Sequence, residues 1–92
     1  MPIVVINGTV KDKHTDVPVS AEIIVRDHFN NNLIGIFETD NNGIYEISLK
    51  SGRRYAVTIR SGGYQNLKSI LALDESSNES TISQEYALMK AR

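Results

Sequence analysis

Residues 39–49 read Thr-Asp-Asn-Asn-Gly-Ile-Tyr-Glu-Ile-Ser-Leu, a polar turn that ends in glycine and runs directly into an alternating segment. Asp40 and the two asparagines tolerate unusual backbone angles, and Gly43 can adopt positive φ without a steric clash, so we expect the chain to reverse here. Beyond the turn, apolar side chains alternate with polar ones, namely Tyr45, Ile47 and Leu49 against Glu46, Ser48 and Lys50. This alternation predicts a strand that packs on one face only, and it indicates an antiparallel β domain.

Length and composition narrow the class of protein. The 92 residues fit one domain, and the net charge of −1 provides no long-range attraction to nucleic acid or to an anionic membrane. Cysteine is absent, which excludes disulfides, thiolate metal sites and thiol catalysis. The apolar run from Ile3 to Ile6 is far shorter than the ~20 residues of a membrane-spanning helix. We therefore expect no nucleic-acid partner, no direct membrane insertion and no cofactor.

Segments rich in β-branched and aromatic residues recur at the spacing of a β-sandwich and are separated by turn-forming residues. We predict seven strands: Ile3–Lys11, Ala21–Asp27, Leu33–Thr39, Ile44–Leu49, Arg54–Arg60, Leu67–Leu73 and Ile82–Lys90. The last segment contains good helix formers, but we favour a closing strand there. The loop of residues 50–54 contains a glycine and is predicted to join adjacent strands as a hairpin. Residues 74–81 contain no apolar side chain and are expected to form a connector.

The phase of the alternation predicts which side chains form the core. The inward set is Ile6, Gly8, Val10, Ala21, Ile23, Val25, Tyr45, Ile47, Leu49, Tyr55, Val57, Ile59, Tyr86 and Leu88. Because Met1 directly precedes a strand, we expect residues 1–92 to be a single domain taken from a larger multidomain protein. Any targeting segment would then lie outside these residues.

An ordered set of residues along most of the chain resembles a known family. The first half supplies Gly8 to Asp12, Thr15, Pro18, Val19, Ala21 and Ile23 to Val25, and the second supplies Thr39, Asp40, Gly43 to Tyr45, Ile47, Leu49, Gly52, Tyr55, Val57, Ile59, Gly63 and Tyr64. This set resembles the carboxypeptidase regulatory-like domain, a transthyretin-like or prealbumin-like sandwich. The resemblance implies a seven-stranded antiparallel Greek-key β-sandwich.

The same resemblance implies an accessory module without catalytic residues. Such modules occur in bacterial cell-envelope proteins, among them outer-membrane lipoproteins with peptidoglycan-binding and repeat domains. The implied location is thus the periplasm or the outer membrane, and the implied partners are neighbouring domains or other envelope proteins. The related hydroxyisourate hydrolases end in Tyr-Arg-Gly-Ser, whereas this chain ends in Leu88-Met89-Lys90-Ala91-Arg92, which argues against that enzyme.

Several polar groups suggest catalysis or metal binding, but each has a simpler interpretation. His14 and His28 could each pair with a nearby aspartate to form a base, yet both fall in predicted turns or strand ends. The stretch that begins at Asp40 has hard oxygen ligands but lacks the remaining ligands of a calcium loop, and turn chemistry accounts for it. The three asparagines Asn30–Asn32 are better interpreted as a hairpin turn. We predict no catalytic or metal site.

Four residues remain as candidates for a ligand or partner surface. Tyr64 and Phe29 are the aromatic residues predicted to be exposed, and they could stack on sugars. Arg53 and Arg54, with Arg60 and Lys68 in the same region of the sequence, form a modest basic cluster that could meet an acidic partner or a phosphate. Two functions follow: a structural or protein-interaction module, which we favour, and alternatively a carbohydrate- or peptidoglycan-binding module. An enzyme is the third hypothesis.

Overall fold

A computed structural model describes residues 3–73 and 81–91. These residues form eight strands and no helix: β1 (Ile3–Asp12), β2 (Glu22–Asp27), β3 (Leu33–Glu38), β4 (Ile44–Lys50), β5 (Arg54–Arg60), β6 (Leu67–Ala72), β7 (Thr81–Ser83) and β8 (Tyr86–Leu88). The all-β fold predicted from the alternation is confirmed. Six of the seven predicted strands agree with the observed bounds to within one residue at each end.

The strands form two packed sheets. One has the order β4-β1-β7, with β8 also pairing with β1, and the other has the order β3-β2-β5-β6. Two connections, β2–β3 and β5–β6, join antiparallel neighbours in the same sheet. The connections β1–β2, β3–β4 and β4–β5 pass from one sheet to the other, as in a Greek-key sandwich.

The predicted closing strand is divided in two. β7 and β8 lie beside successive parts of β1, and both run parallel to it, so the sandwich is not antiparallel throughout. Between them, the backbone carbonyl of Gln84 accepts a hydrogen bond from the Tyr45 hydroxyl, and it lies directly over Gly8. A side chain at Gly8 would overlap this carbonyl, which explains why glycine is required there. The predicted connector at 74–81 lies outside the described residues, except for Thr81 at the start of β7.

The prediction that residues 50–54 form a hairpin is wrong. β4 pairs with β1, whereas β5 pairs with β2 and β6, so this loop carries the chain from one sheet to the other. Its backbone groups bond to Leu73 rather than to each other: Gly52 donates to the Leu73 carbonyl at 2.6 Å, and Leu73 donates to the Arg53 carbonyl at 2.8 Å. The sequence of the loop does not distinguish a hairpin from a crossing between sheets, because a glycine-containing turn is compatible with both connections.

The core lies between the two sheets. Every apolar side chain that the phase predicted to point inward is buried, and the core also includes Val4, Val19 and Leu73. Gly8, the remaining member of the predicted inward set, is half-buried beneath Gln84. The alternation therefore identified the correct face of the five strands for which an inward set was predicted, namely β1, β2, β4, β5 and β8.

Ile47→Ala should destabilise the protein strongly. The side chain is buried in β4, and truncation of a buried isoleucine to alanine costs about 2–5 kcal/mol. Ile70→Ala removes the same atoms from a residue that is 52% exposed and should have little effect. Thermal unfolding of both variants checks this, with an expected fall in Tm of about 8 °C or more for Ile47→Ala. Equal melting temperatures would contradict the observed packing of β4.

Gly8→Ala should also destabilise the protein, by about 1–3 kcal/mol, because the new methyl group would force the Gln84 carbonyl away from β1. Gly62→Ala is the matched control, since nothing lies within 4 Å of a methyl group at that position. Denaturant unfolding measures both free energies. A Gly8→Ala variant as stable as Gly62→Ala would show that the contact between β1 and Gln84 is not required.

Candidate functional site

A short sequence pattern is repeated where the first two strands end. β1 ends with Val10-Lys11-Asp12 and β2 ends with Val25-Arg26-Asp27, and each is followed by a turn. Both aspartates are buried, being 2% and 7% exposed. In each case one carboxylate oxygen accepts the backbone amides two and three residues ahead, and the residue four ahead has positive φ. The two turns are therefore built in the same way.

The turn after Asp27 forms one wall of a cleft at one end of the sandwich. The cleft has a volume of about 460 Å³, and its other wall is the connection between β4 and β5. It is lined by Asp27, His28, Phe29, Asn30, Gly52, Arg53 and Arg54. The Asp27 carboxylate accepts the Phe29 amide at 2.8 Å and lies 3.6 Å from the Arg53 guanidinium, so a single buried group contacts both walls.

The turn after Asp12 is closed by a tyrosine instead of by an arginine. The Tyr64 hydroxyl donates to the second oxygen of Asp12 at 2.8 Å, and the tyrosine ring packs against the core. The Thr15 amide and the Tyr64 hydroxyl, both of which donate to the carboxylate, lower the pKa of Asp12 to about 2. The same hydrogen bond raises the pKa of Tyr64.

The structure brings together three of the four predicted surface residues. Phe29, Arg53 and Arg54 line the same cleft, and Phe29 is 97% exposed. Tyr64 does not join them. It is half-buried and bonds to Asp12, the residue at the other end of β1, about 30 Å along the strand from Ile3 at the cleft end. The side chain of Tyr64, which the sequence predicted to be exposed, instead holds the turn after Asp12 through its hydroxyl group.

The other members of the predicted basic cluster are also separated from the cleft. Arg60 lies at the opposite end of β5 from Arg54, and its guanidinium is 4.0 Å from Glu22. Lys68 of β6 lies opposite Thr58 of β5, near that same end. The basic surface therefore consists of two arginines at one end rather than four residues in a patch.

The two histidines lie far apart, and the polar groups of the Asp40 turn serve local structure. His28 lines the cleft, whereas His14 lies in the Asp12 turn at the other end, so the two do not form a common site. One oxygen of Asp40 accepts the amides of Asn42 and Ile44, and turn chemistry thus accounts for this group. The hairpin predicted at Asn30–Asn32 is confirmed by the antiparallel pairing of β2 and β3. Residues 3–73 and 81–91 contain no group of three or more histidine, aspartate or glutamate residues that could hold a metal ion.

Sequence reasoning missed an apolar edge strand. Within the described part of the chain, β3 pairs only with β2 and lies at the edge of its sheet. Leu33, Ile34 and Ile36 are all exposed. The segment Leu33-Ile34-Gly35-Ile36-Phe37 has little of the clean alternation of the other strands, and this departure was the signal that could have revealed the exposed edge.

Comparisons with known proteins show the fold of the chain. A scan against protein-family models and a search of curated proteins each give no match. Solved structures that match include the Bacillus anthracis TIE protein, with a TM-score of 0.78, 15% identity and coverage of 97% of this chain and 17% of that one. BcpA, the major pilin subunit of Bacillus cereus, matches with a TM-score of 0.75, 20% identity and coverage of 98% and 31%.

Part of a dioxygenase has the same fold. The 3-chlorocatechol 1,2-dioxygenase of Rhodococcus opacus 1CP matches with a TM-score of 0.76, 12% identity and coverage of 98% of this chain and 61% of the enzyme. The chain therefore spans less than two thirds of each of these proteins. The likeness supports the prealbumin-like sandwich that the family resemblance implied, and at such identities it shows the fold alone. In the described residues, no helix is long and apolar enough to cross a membrane.

Asp12→Asn should lower stability at neutral pH and remove part of the acid sensitivity. The carboxylate has a folded pKa of about 2, below its ordinary value of 3.8, so its ionised form stabilises the fold above pH 4 and this contribution is lost as the pH falls towards 2. Unfolding free energies measured from pH 7 to pH 2 should differ most between the two proteins at pH 7 and converge at pH 2. A constant difference would contradict the assigned hydrogen bonds.

Proposed function

We propose that this domain is a non-catalytic structural module that associates through its β3 edge, with a second copy of the domain as the partner. The observation that carries the proposal is the exposure of Leu33, Ile34 and Ile36 on an edge strand. Exposed backbone donors and acceptors on such a strand can pair with another strand, and apolar side chains add affinity.

Two other edge strands, β4 and β6, carry exposed charged side chains within the strand. β6, at the opposite edge of the same sheet, has Lys68 exposed, and β4 exposes Glu46 and Lys50. Charged side chains discourage edge-to-edge pairing because they would lose solvation. β3 contains no lysine, arginine or proline, and its single charged residue, Glu38, is the last residue of the strand.

The pairing can be described in terms of register. In an antiparallel pair, residues opposite each other point to the same face of the sheet. A register that sets Ile34 of one copy opposite Ile36 of the other places two such apolar pairs on the outer face and Gly35 opposite Gly35. Ile24, which pairs with Ile36 within the domain and is half-buried, extends this apolar row inward. The two sheets would then form one continuous sheet.

Structural neighbours support an assembly role and a place in the cell envelope. Two of them are a pilin subunit of Bacillus cereus and a pilus backbone protein of group B streptococcus, whose names describe parts of pili. We propose that this domain likewise contacts other domains or subunits of its own protein and that this protein belongs to the bacterial envelope. Fractionation of cells that express the whole gene tests the location, and recovery in the cytosol would reject it.

The alternative of a carbohydrate- or peptidoglycan-binding module retains one of its two aromatic residues. Tyr64 packs against the core, whereas Phe29 is open to solvent at the cleft. The exposure of Phe29, whose ring could stack on a sugar, is the observation that favours this function. Co-sedimentation with insoluble peptidoglycan, compared between the native chain and Phe29→Ser, tests it.

Ile36→Lys should weaken self-association by about tenfold or more, which corresponds to about 1.4 kcal/mol or more, because it places a charge within the apolar row. Ile70→Lys is the matched control, since both isoleucines are exposed on edge strands of the same sheet, at 55% and 52%. Sedimentation equilibrium over a concentration series gives the association constants.

Thiol crosslinking tests which edge strand forms the contact between two copies of the domain. The native chain has no cysteine, so Ile36→Cys and Ile70→Cys each introduce a single thiol. A short bismaleimide should crosslink Ile36→Cys into dimers and leave Ile70→Cys monomeric. Equal crosslinking of both variants, or of neither, would contradict association through β3.

A further inference from the structure

The first and last strands of the described chain lie side by side and run in the same direction. β1 begins at Ile3, and β7 and β8 pair with it in parallel. Thr81 of β7 lies opposite Val5, near the start of β1. Leu88 of β8 lies opposite Asp12, where β1 ends. Ile3 and Leu88 therefore lie at opposite ends of the same pair of strands.

A pull on these two positions would act along the strands. The ten residues of β1 span about 30 Å, so Ile3 and Leu88 are separated mainly in the strand direction. Pulling them apart draws β1 one way and β7 and β8 the other way, and this motion shears the pairing. The hydrogen bonds of a sheared pair resist together, because they are stretched at the same time. A pair that is pulled apart sideways opens one bond after another.

We propose that the domain transmits tension between chain segments attached at its two ends, and that the pairing of β1 with β7 and β8 is the contact that resists this tension. We name this pairing the terminal clamp. The inference rests on the proposed role of the domain as a module of a larger protein, since only a flanking segment at each end could apply the force. The resistance itself is a property of these strands and can be measured on residues 1–92.

Hydrogen bonds outside the two ladders extend the terminal clamp. The Gln84 amide, between β7 and β8, donates to the Asn7 carbonyl at 2.8 Å. The Ser83 hydroxyl donates to the side-chain oxygen of Asn7 at 3.2 Å. At the far end, the Lys13 amide donates to the Leu88 carbonyl at 2.8 Å. These bonds connect the two ladders, and the clamp therefore extends along most of β1.

The chain beyond β8 is also held by the segment between β5 and β6. The Gln65 amide donates to the Met89 carbonyl at 2.8 Å. The Ala91 amide donates to the Gly63 carbonyl at 3.0 Å. These two bonds attach the end of the described chain to the sheet that does not contain β8. Tension that enters at this end is therefore shared by both sheets.

Buried side chains oppose sliding within the terminal clamp. Tyr86 and Leu88 are both part of the core, and the Tyr86 ring lies 6.0 Å from the ring of Tyr45 in β4. Because alternate residues of a strand point to opposite faces, a slip of one residue would turn both side chains of β8 out of the core. Shear must therefore break side-chain packing and hydrogen bonds in the same step.

The test is single-molecule force spectroscopy with two pulling geometries. The native chain has no cysteine, so a pair of introduced thiols defines the points of attachment. The first pair, Ile3→Cys with Ala91→Cys, applies the force along β1. The second pair, Lys13→Cys with Ala91→Cys, applies the force at one end and pulls β8 sideways from β1. All three native side chains are exposed, so the substitutions should leave the fold intact.

The first geometry should require about twice the force of the second or more, because forced unfolding is governed by the unfolding barrier and the sheared clamp breaks as a unit. Thermal unfolding of the two double variants, measured without force, should give the same Tm. A difference in force then reports the direction of pulling and not a difference in stability. Equal forces of first rupture in the two geometries would overturn the proposal.

Two further substitutions, each in the Ile3→Cys and Ala91→Cys background, separate the terminal clamp from general stability. Gly8→Ala displaces the Gln84 carbonyl from β1 and should lower the unfolding force. Val57→Ala leaves a cavity beside β5 in the other sheet, so it should lower the free energy of unfolding and leave the force near that of the parent. An equal loss of force in the two variants would overturn the proposal.

The terminal clamp and self-association through β3 can fail separately. Ile36→Lys should not change the unfolding force, because β3 lies in the other sheet from the clamp. Loss of self-association in the native chain, or recovery of the whole protein in the cytosol, would reject the proposed function without altering the forces. Equal forces in the two geometries would reject the clamp and leave the association constants unchanged.

Discussion

One strand holds together half of the sandwich. In the described residues, β4, β7 and β8 form no pairing with one another, and each is hydrogen-bonded to β1. A slip of one residue in β1 would turn its apolar side chains to the solvent face and would displace three partners at once. Gly8, at the centre of this strand, allows the backbone at Gln84 to approach between β7 and β8. The pairing of β7 and β8 with β1 therefore depends on glycine at position 8.

The second constraint is the pair of buried aspartates at the strand ends. Each carboxylate replaces the solvent that the turn amides would otherwise require, and each also holds a group from elsewhere in the chain, Tyr64 in one case and Arg53 in the other. At the Asp12 end the partner is the neutral hydroxyl of Tyr64, and at the Asp27 end it is the charged and half-exposed guanidinium of Arg53. The same turn architecture is thus closed by a different kind of group at each end.

The spacing and alternation of apolar segments predicted six strands closely and the inward face of most of them, because side-chain direction in a strand is fixed by parity alone. They could not show which sheet each strand joins, and for this reason the connection at 50–54 was assigned to a hairpin. They also could not predict the position of Tyr64, whose partner Asp12 is 52 residues away. Phe29, Arg53 and Arg54 were identified because exposed aromatic and basic residues in turns are visible in the sequence, whereas their meeting in one cleft depends on the tertiary fold.

The fold alone does not distinguish the possible functions, since a pilin subunit and a dioxygenase contain the same sandwich. Function must then lie in those residues that the scaffold does not need. A solvent-facing edge strand ordinarily carries charge, and a turn tip ordinarily carries a small polar residue, because both choices avoid exposed apolar surface. Ile34 and Ile36 on β3 depart from the first rule, and Phe29 departs from the second. These side chains stay exposed in the described fold, and a partner that covers them would bury this apolar surface.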